Sequence, residues 1–181
     1  MAAARRYTIV AIVLHWAIAL AILANLALGL YMADLPLSAG PIKLKLYSYH
    51  KWAGVTIFAL VLLRILWRIT HRPPPLPPGM PAWQRAASGV THALLYLLTL
   101  AVPLTGWLFS SAKGFQTVYF ARWPIPDLLS KDLLLAEVLL EWHESLNYLM
   151  LALVVVHVAA ALKHHWVDRD SVLRSMLPFP H

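Results

Sequence analysis

The sequence contains no cysteine, and this absence excludes several kinds of chemistry at once. Iron–sulfur clusters, disulfides, thiol catalysis and covalent haem attachment through a Cys-x-x-Cys-His motif all require cysteine. A bound metal or cofactor therefore depends on other donor side chains, such as histidine or methionine. Charge is scarce as well, since 13% of the residues are charged, against about 25% in a typical soluble domain.

Apolar residues, in contrast, make up 60% of the chain and gather in four long stretches. About 20 apolar residues span the hydrocarbon core of a bilayer as a helix, because a helix satisfies its own backbone hydrogen bonds there. We therefore predict an all-α integral membrane protein, a single domain over residues 1–181 that forms a four-helix transmembrane bundle. The predicted helices cover about residues 7–32, 47–69, 86–110 and 133–166.

Basic residues are distributed unevenly between the two sides of such a bundle. If the helices alternate in direction, one side receives nine basic and two acidic residues, and the other side receives six of each. By the positive-inside rule, the basic side, with both termini, faces the cytoplasm. The net charge of +7 is thus a topology signal and does not indicate nucleic-acid binding. The nine residues are Arg5, Arg6, Arg64, Arg68, Arg72, Arg85, Lys163, Arg169 and Arg174.

Histidines recur at a fixed interval within the predicted helices. His143 and His157 lie fourteen residues apart in the fourth helix. Fourteen steps of ~100° return to within roughly 40° of the starting direction and climb about 21 Å, so the two imidazoles share one face at two depths. The same interval recurs in the other helices as His15/Gly29, His50/Arg64 and His92/Gly106.

Alternating helix directions gather these residues at an inner, cytoplasmic level and an outer level. At the outer level only His50 and His143 are available as a pair. At the inner level there are three candidates, His15, His92 and His157. Depth favours His15 with His157, because His92 lies nearer the cytoplasmic end of its helix.

Two levels with two imidazoles each suit the axial positions of six-coordinate iron porphyrins, and we predict two non-covalent b-type haems. Zinc would prefer three or four ligands that converge tetrahedrally. A single buried histidine has a plainer explanation as an interhelical hydrogen bond, but ionisable side chains in a bilayer are costly and usually functional. We expect Gly29 and Gly106 to leave room where a flat macrocycle approaches a backbone.

Two further side chains, Arg64 and His164, each have two possible roles. Arg64 at the inner level either partners a haem propionate or extends toward the inner headgroups with Arg68. His164 lies seven residues beyond His157 and either serves a quinone site or belongs to an interfacial collar, which spacing slightly favours. The collar would comprise His164 with Lys163, His165 and Trp166.

These residues resemble the bacterial cytochrome b561 family of di-haem, four-helix membrane cytochromes, which includes superoxide oxidases. The resemblance covers essentially the whole chain, and the histidine spacing of the fourth helix is its most specific part. The other matching features are Leu14-His15-Trp16, His50 with Gly54, Arg64 with Arg68, the proline-rich segment 71–81, His92 with Leu95-Tyr96-Leu97, Pro103, Gly106, Trp142-His143-Glu144, His164-His165 and residues 173–178.

The resemblance implies a bacterial inner-membrane protein with one haem between His15 and His157 and the other between His50 and His143. It also implies ubiquinone as the redox partner near the inner haem, with His164 in that site. Some members carry a quinone-site lysine in the proline-rich segment, where Gly79 stands here. The resemblance therefore does not extend to a quinone contact through a lysine of that segment.

We accordingly expect a superoxide:ubiquinone oxidoreductase that moves electrons between a small outer one-electron donor, superoxide, and ubiquinone in the membrane. Lys51, next to His50, is compatible with local attraction of such an anion. A plain electron carrier, without a defined superoxide oxidase activity, is the simpler version of this hypothesis. The main alternative is a cytochrome b anchor subunit that relays electrons from a peripheral dehydrogenase or hydrogenase to quinone. A third possibility, a haem-free transporter or structural bundle, predicts a colourless protein.

Overall fold

Four long helices make up most of the computed structural model, which describes residues 6–178 and so leaves Arg5 outside the described part of the chain. All four helices are long and apolar enough to cross a membrane. The predicted all-α, four-helix transmembrane fold is confirmed. The helices are α1, Ile9–Asp34; α2, Pro41–Thr70; α3, Ala82–Lys113; and α4, Leu133–Lys163.

Two of the helices begin earlier than we predicted from the apolar stretches. Helix α2 starts at Pro41, six residues before the predicted start, and α3 starts at Ala82 instead of residue 86. Pro41 occupies the first helical position, where its missing N–H removes no intrahelical hydrogen bond. Gly40, with φ of 47°, makes the turn that precedes it. Charged or polar residues interrupt the apolar pattern in these first turns, so apolar length alone placed both starts too late. These residues are Lys43 and Lys45 in α2 and Gln84 and Arg85 in α3.

The interior of the bundle is a narrow apolar core surrounded by side chains that face outward. Leu20, Leu66 and Leu97 are 64%, 61% and 61% exposed, which is unfavourable in water and expected in contact with lipid. A central cluster with members from all four helices fills the level between the two histidine levels. This cluster is Ile18, Ile22, Ile57, Val61, Leu98, Val102 and Met150.

The four helices do not pack equally on one another. Helix α1 packs mainly on α2, and α4 packs mainly on α3, while α1 and α4 have few close backbone contacts. The C-terminal segment joins α1 and α4 at the inner end instead, because the Trp16 indole donates to the Met176 carbonyl at 2.9 Å. The Tyr7 amide donates to the Ser175 carbonyl at 3.3 Å in the same region. The C-terminal segment, which follows α4, and the Trp16 side chain of α1 therefore connect the two helices at the inner end.

The outer connection between α3 and α4 folds back over α2. It contains a two-stranded antiparallel hairpin, β1, Val118–Tyr119, and β2, Trp123–Pro124. The Trp52 indole donates to the Val118 carbonyl at 2.7 Å, and the Thr56 hydroxyl lies 2.8 Å from the Tyr119 hydroxyl. These bonds fix the hairpin beside the outer half of α2.

Candidate functional site

The outer histidine level is formed by His50 of α2 and His143 of α4. Their ring centres are 6.1 Å apart and their planes are nearly perpendicular, at 89°. His50 Nδ1 lies 3.2 Å from the Asn25 carbonyl, and His143 Nδ1 lies 3.0 Å from the Val102 carbonyl. Since a carbonyl oxygen only accepts, each Nδ1 carries the proton, and Nε2 is the nitrogen left for a ligand or a metal.

The two glycines at this level lie against the histidines of the neighbouring helices. A Cβ at Gly29 would come within 3.1 Å of His50 Cε1, and a Cβ at Gly106 would come within 2.9 Å of His143 Cε1. Each glycine therefore makes room for an imidazole of the neighbouring helix, and the expected close approach of a macrocycle at these positions stays a prediction. The fourteen-residue spacing placed the glycines at the correct level but did not reveal which group they contact.

The inner level contains three imidazoles in contact. The ring centres of His15 and His157 are 6.2 Å apart, and those of His92 and His157 are 5.3 Å apart. His92 Nδ1 donates to the Ser88 carbonyl of its own helix at 2.7 Å. The inner level is thus more crowded than the outer one, and distance distinguishes the two pairs that include His157.

Imidazole–metal geometry provides a test of these pairs. With metal–nitrogen bonds of about 2.0–2.1 Å and each ring centre roughly 1 Å behind its nitrogen, two axial imidazoles have centres about 6 Å apart. The separations of 6.2 Å for His15–His157 and 6.1 Å for His50–His143 fit this requirement. The 5.3 Å separation of His92 from His157 is too short unless the rings move. The residues present therefore fit two bis-imidazole cofactors.

Arg64 stays inside the bundle beside the inner histidines. Its Nε donates to the Tyr96 hydroxyl at 3.1 Å, and Arg68 lies over the same tyrosine ring, 5.8 Å from its centre. The Arg64 charge interacts electrostatically with His15 and with the other two inner histidines. A cavity of about 20 Å³ lies beside it, which is room for about one water. Arg64 is therefore anchored on α3 close to the inner histidine level.

His164 is more buried than Trp166, another member of the predicted interfacial collar. It opens a π-helix, His164–Asp168, that directly follows α4. Its Nδ1 donates to Asp170 Oδ2 at 2.7 Å, and the ring is largely buried, whereas Trp166 is 66% exposed. Sequence reasoning missed Asp170, because the residue approaches His164 only through the turn that ends the π-helix.

Lys51, which follows His50 in the chain, is bonded to the outer end of α3 and to the outer loop. Its ammonium donates to the Ser110 hydroxyl at 3.1 Å, and to the carbonyls of Phe115 at 3.0 Å and Gln116 at 3.5 Å. Three acceptors use all three N–H groups of a lysine. Lys51 therefore fastens the outer loop to α2, and its charge is directed at the loop.

Four membrane-spanning helices with paired imidazoles at two levels define a class of protein: a membrane cytochrome whose haems would be held without covalent attachment. The chain belongs to the prokaryotic cytochrome b561 family, whose model matches residues 6–179. Members of this family bind b haems and transfer electrons in the membrane. The chain is thus a bacterial multi-pass membrane protein.

Three relatives support this assignment. The chain is 34% identical to "Cytochrome b561 homolog 2" of Escherichia coli K12 over 173 residues, which covers 95% of this chain and 91% of the relative. It is 27% identical to "Cytochrome b561 homolog 1" of the same organism, covering 71% and 73% of the two chains. It is 28% identical to "Probable superoxide oxidase CybB" of Yersinia pestis, covering 72% and 78%.

The contact between Gly106 and His143 gives a first prediction. We expect Gly106→Ala to displace the imidazole and to destabilise the protein by about 1–3 kcal/mol, the usual cost of overpacking. Gly54→Ala is the matched control, because nothing lies within 4 Å of its Cβ position. The gain in helix propensity from glycine to alanine is common to both variants. Thermal unfolding in detergent measures the difference, and equal midpoints for the two variants would contradict the account.

Proposed function

We propose that this protein is a superoxide:ubiquinone oxidoreductase of the bacterial inner membrane, with both termini in the cytoplasm. It would hold one b haem between His15 and His157 and a second between His50 and His143. The observation that carries the haem assignment is the pair of imidazole separations, 6.2 Å and 6.1 Å, at two levels of one bundle, and the relative named a probable superoxide oxidase supports the choice of donor. Bound haem would supply the one-electron redox chemistry, and the protein would supply its ligands and its position.

The side chains around each level support ligation. At the outer level, backbone carbonyls hold the Nδ1 protons of His50 and His143, which fixes the rings and directs Nε2 to the cofactor. At the inner level, Arg64 is held by the Tyr96 hydroxyl near the three histidines, and we assign it as the partner of a haem propionate. His92, bonded to its own helix, would remain a neighbour of the inner cofactor.

The two substrates are assigned to opposite ends of the bundle. Superoxide, a water-soluble anion, would approach the outer level, and one relative is named a probable superoxide oxidase. Ubiquinone would react near the inner level, where His164 is the polar side chain assigned to its oxygen. Two superoxide ions reduce one ubiquinone: each loses one electron to become dioxygen, and two protons complete the quinol. Family membership alone is equally compatible with a plain electron carrier.

The proposed function can be tested with purified protein in nanodiscs that contain ubiquinone. Superoxide is generated enzymatically, and ubiquinol formation is measured with and without added superoxide dismutase. We expect ubiquinol formation that the dismutase suppresses and that approaches one quinol per two superoxide ions. Quinol formation no faster than in protein-free discs would contradict the proposal, and a dehydrogenase that co-purifies in stoichiometric amount would then favour the anchor-subunit alternative.

A further inference from the structure

A turn follows the π-helix at the end of α4, and this turn places Asp170 against His164. The π-helix ends at Asp168, and Arg169 adopts a left-handed conformation with φ of 52°. The Asp170 amide then donates to the His164 carbonyl at 3.1 Å, and the Val172 amide donates to Asp170 Oδ1 at 2.9 Å. Backbone and side-chain bonds thus hold the Asp170 carboxylate in one position.

Asp170 and Asp168 differ in their other partners, although both carboxylates approach His164. Asp170 Oδ2 accepts the Nδ1–H of His164 at 2.7 Å, and Asp168 Oδ2 lies farther away, at 3.1 Å. Lys163 donates to both oxygens of Asp168, at 2.7 and 2.9 Å. Within residues 6–178, no lysine or arginine forms an ion pair with Asp170. His164 is therefore the main side-chain partner of Asp170, whereas Lys163 is the main partner of Asp168.

This geometry determines which nitrogen of His164 is available for chemistry. A carboxylate only accepts hydrogen bonds, so the Nδ1 of His164 keeps its proton while it faces Asp170. The remaining nitrogen, Nε2, accepts a proton in the neutral ring and donates one in the doubly protonated ring. A carboxylate that orients an imidazole in this way sustains proton transfer in other proteins without itself being protonated.

We propose that Asp170 is a positioning residue that fixes the Nδ1–H tautomer of His164 for proton transfer to ubiquinone, an inference that rests on the proposed function. When His164 gives a proton to a quinone oxygen, its Nε2–H bond breaks and an O–H bond forms. The electrons come from superoxide, and water at the cytoplasmic surface returns a proton to Nε2. The Nδ1 proton stays on the ring throughout, bonded to Asp170.

The test is the Asp170→Asn variant. Its Oδ1 retains the Val172 amide, so its NH₂ faces Nδ1 and moves the ring proton to Nε2, the inverse tautomer. We expect kcat for superoxide-driven ubiquinone reduction to fall about 10- to 100-fold, as is typical when an orienting partner is lost. KM for ubiquinone should stay close to the wild-type value, and the haem absorption spectra and haem reduction by superoxide should not change.

Two further variants separate positioning from simple structural support. Asp168→Asn is the matched control and should retain nearly all of kcat, because that carboxylate belongs mainly to Lys163. Asp170→Glu should recover much of the lost kcat, since it restores a carboxylate. Wild-type kcat in Asp170→Asn, an equal loss in Asp168→Asn, or a change in KM alone would each overturn the inference. A wild-type protein that forms no ubiquinol overturns the proposed function as well, whereas an active wild type with an equally active Asp170→Asn overturns this inference alone.

Discussion

His157→Ala is expected to lose one of two haems, whereas His92→Ala keeps both. The reason is distance: His157 is 6.2 Å from His15, as two axial ligands require, but 5.3 Å from His92. His92 also has a partner of its own in the Ser88 carbonyl. The measurement is haem per polypeptide by the pyridine haemochrome method, together with the low-spin electron paramagnetic resonance signals.

A matched histidine variant controls for general effects of the substitution. His71→Ala should retain both haems, because His71 stacks on Trp67 at the inner end of α2, with ring centres 3.8 Å apart, outside both levels. The inner pairing would be wrong if His92→Ala removed a haem and His15→Ala did not. Loss of haem from all of these variants, including His71→Ala, would instead indicate a general failure to fold.

His164→Ala is expected to slow ubiquinone reduction by about 10²–10⁴-fold, the range lost when a general acid–base group is removed. Both haem spectra and haem reduction by superoxide should remain at wild-type levels, because His164 lies beyond both imidazole pairs at the inner end of α4. His143→Ala should have the reciprocal effect and reduce superoxide-driven reduction of the remaining haem to background. Stopped-flow reduction of haem by superoxide follows the first half-reaction, and stopped-flow reduction of haem by added ubiquinol follows the second without superoxide, so each is measured separately on both variants. If each substitution impaired both half-reactions equally, the assignment of the substrates to opposite ends would fail.

The helices and their histidine levels could be predicted because both depend on local rules. Apolar length defines a membrane-spanning helix, and the 3.6-residue period places residues fourteen apart on one face. With four alternating helices, those rules alone brought His50 opposite His143, and His15 and His157 to one level. Depth in the helices already favoured His15 over His92 as the partner of His157, and the ring separations of 6.2 Å and 5.3 Å favour the same pair.

The features that sequence reasoning missed depend on turns and on contacts distant along the chain. Asp170 reaches His164 because Arg169 adopts a left-handed conformation after a π-helix, and the hydrophobic periodicity carries no signal of this. Lys51 is directed at the outer loop because the loop returns over α2 and presents Phe115 to it. The role of Gly106 likewise depends on the packing of α3 against α4, which its position in the sequence does not reveal.

The measurement that tests the central claim most directly is the number of b haems per polypeptide in the wild-type protein. Pyridine haemochrome absorbance gives the haem concentration, and quantitative amino-acid analysis of the same sample gives the protein concentration. Two haems per chain, both low-spin and six-coordinate, are expected from the imidazole pairs at 6.1 Å and 6.2 Å. One haem per chain, or none, in protein that is folded and saturated with haem would contradict the account.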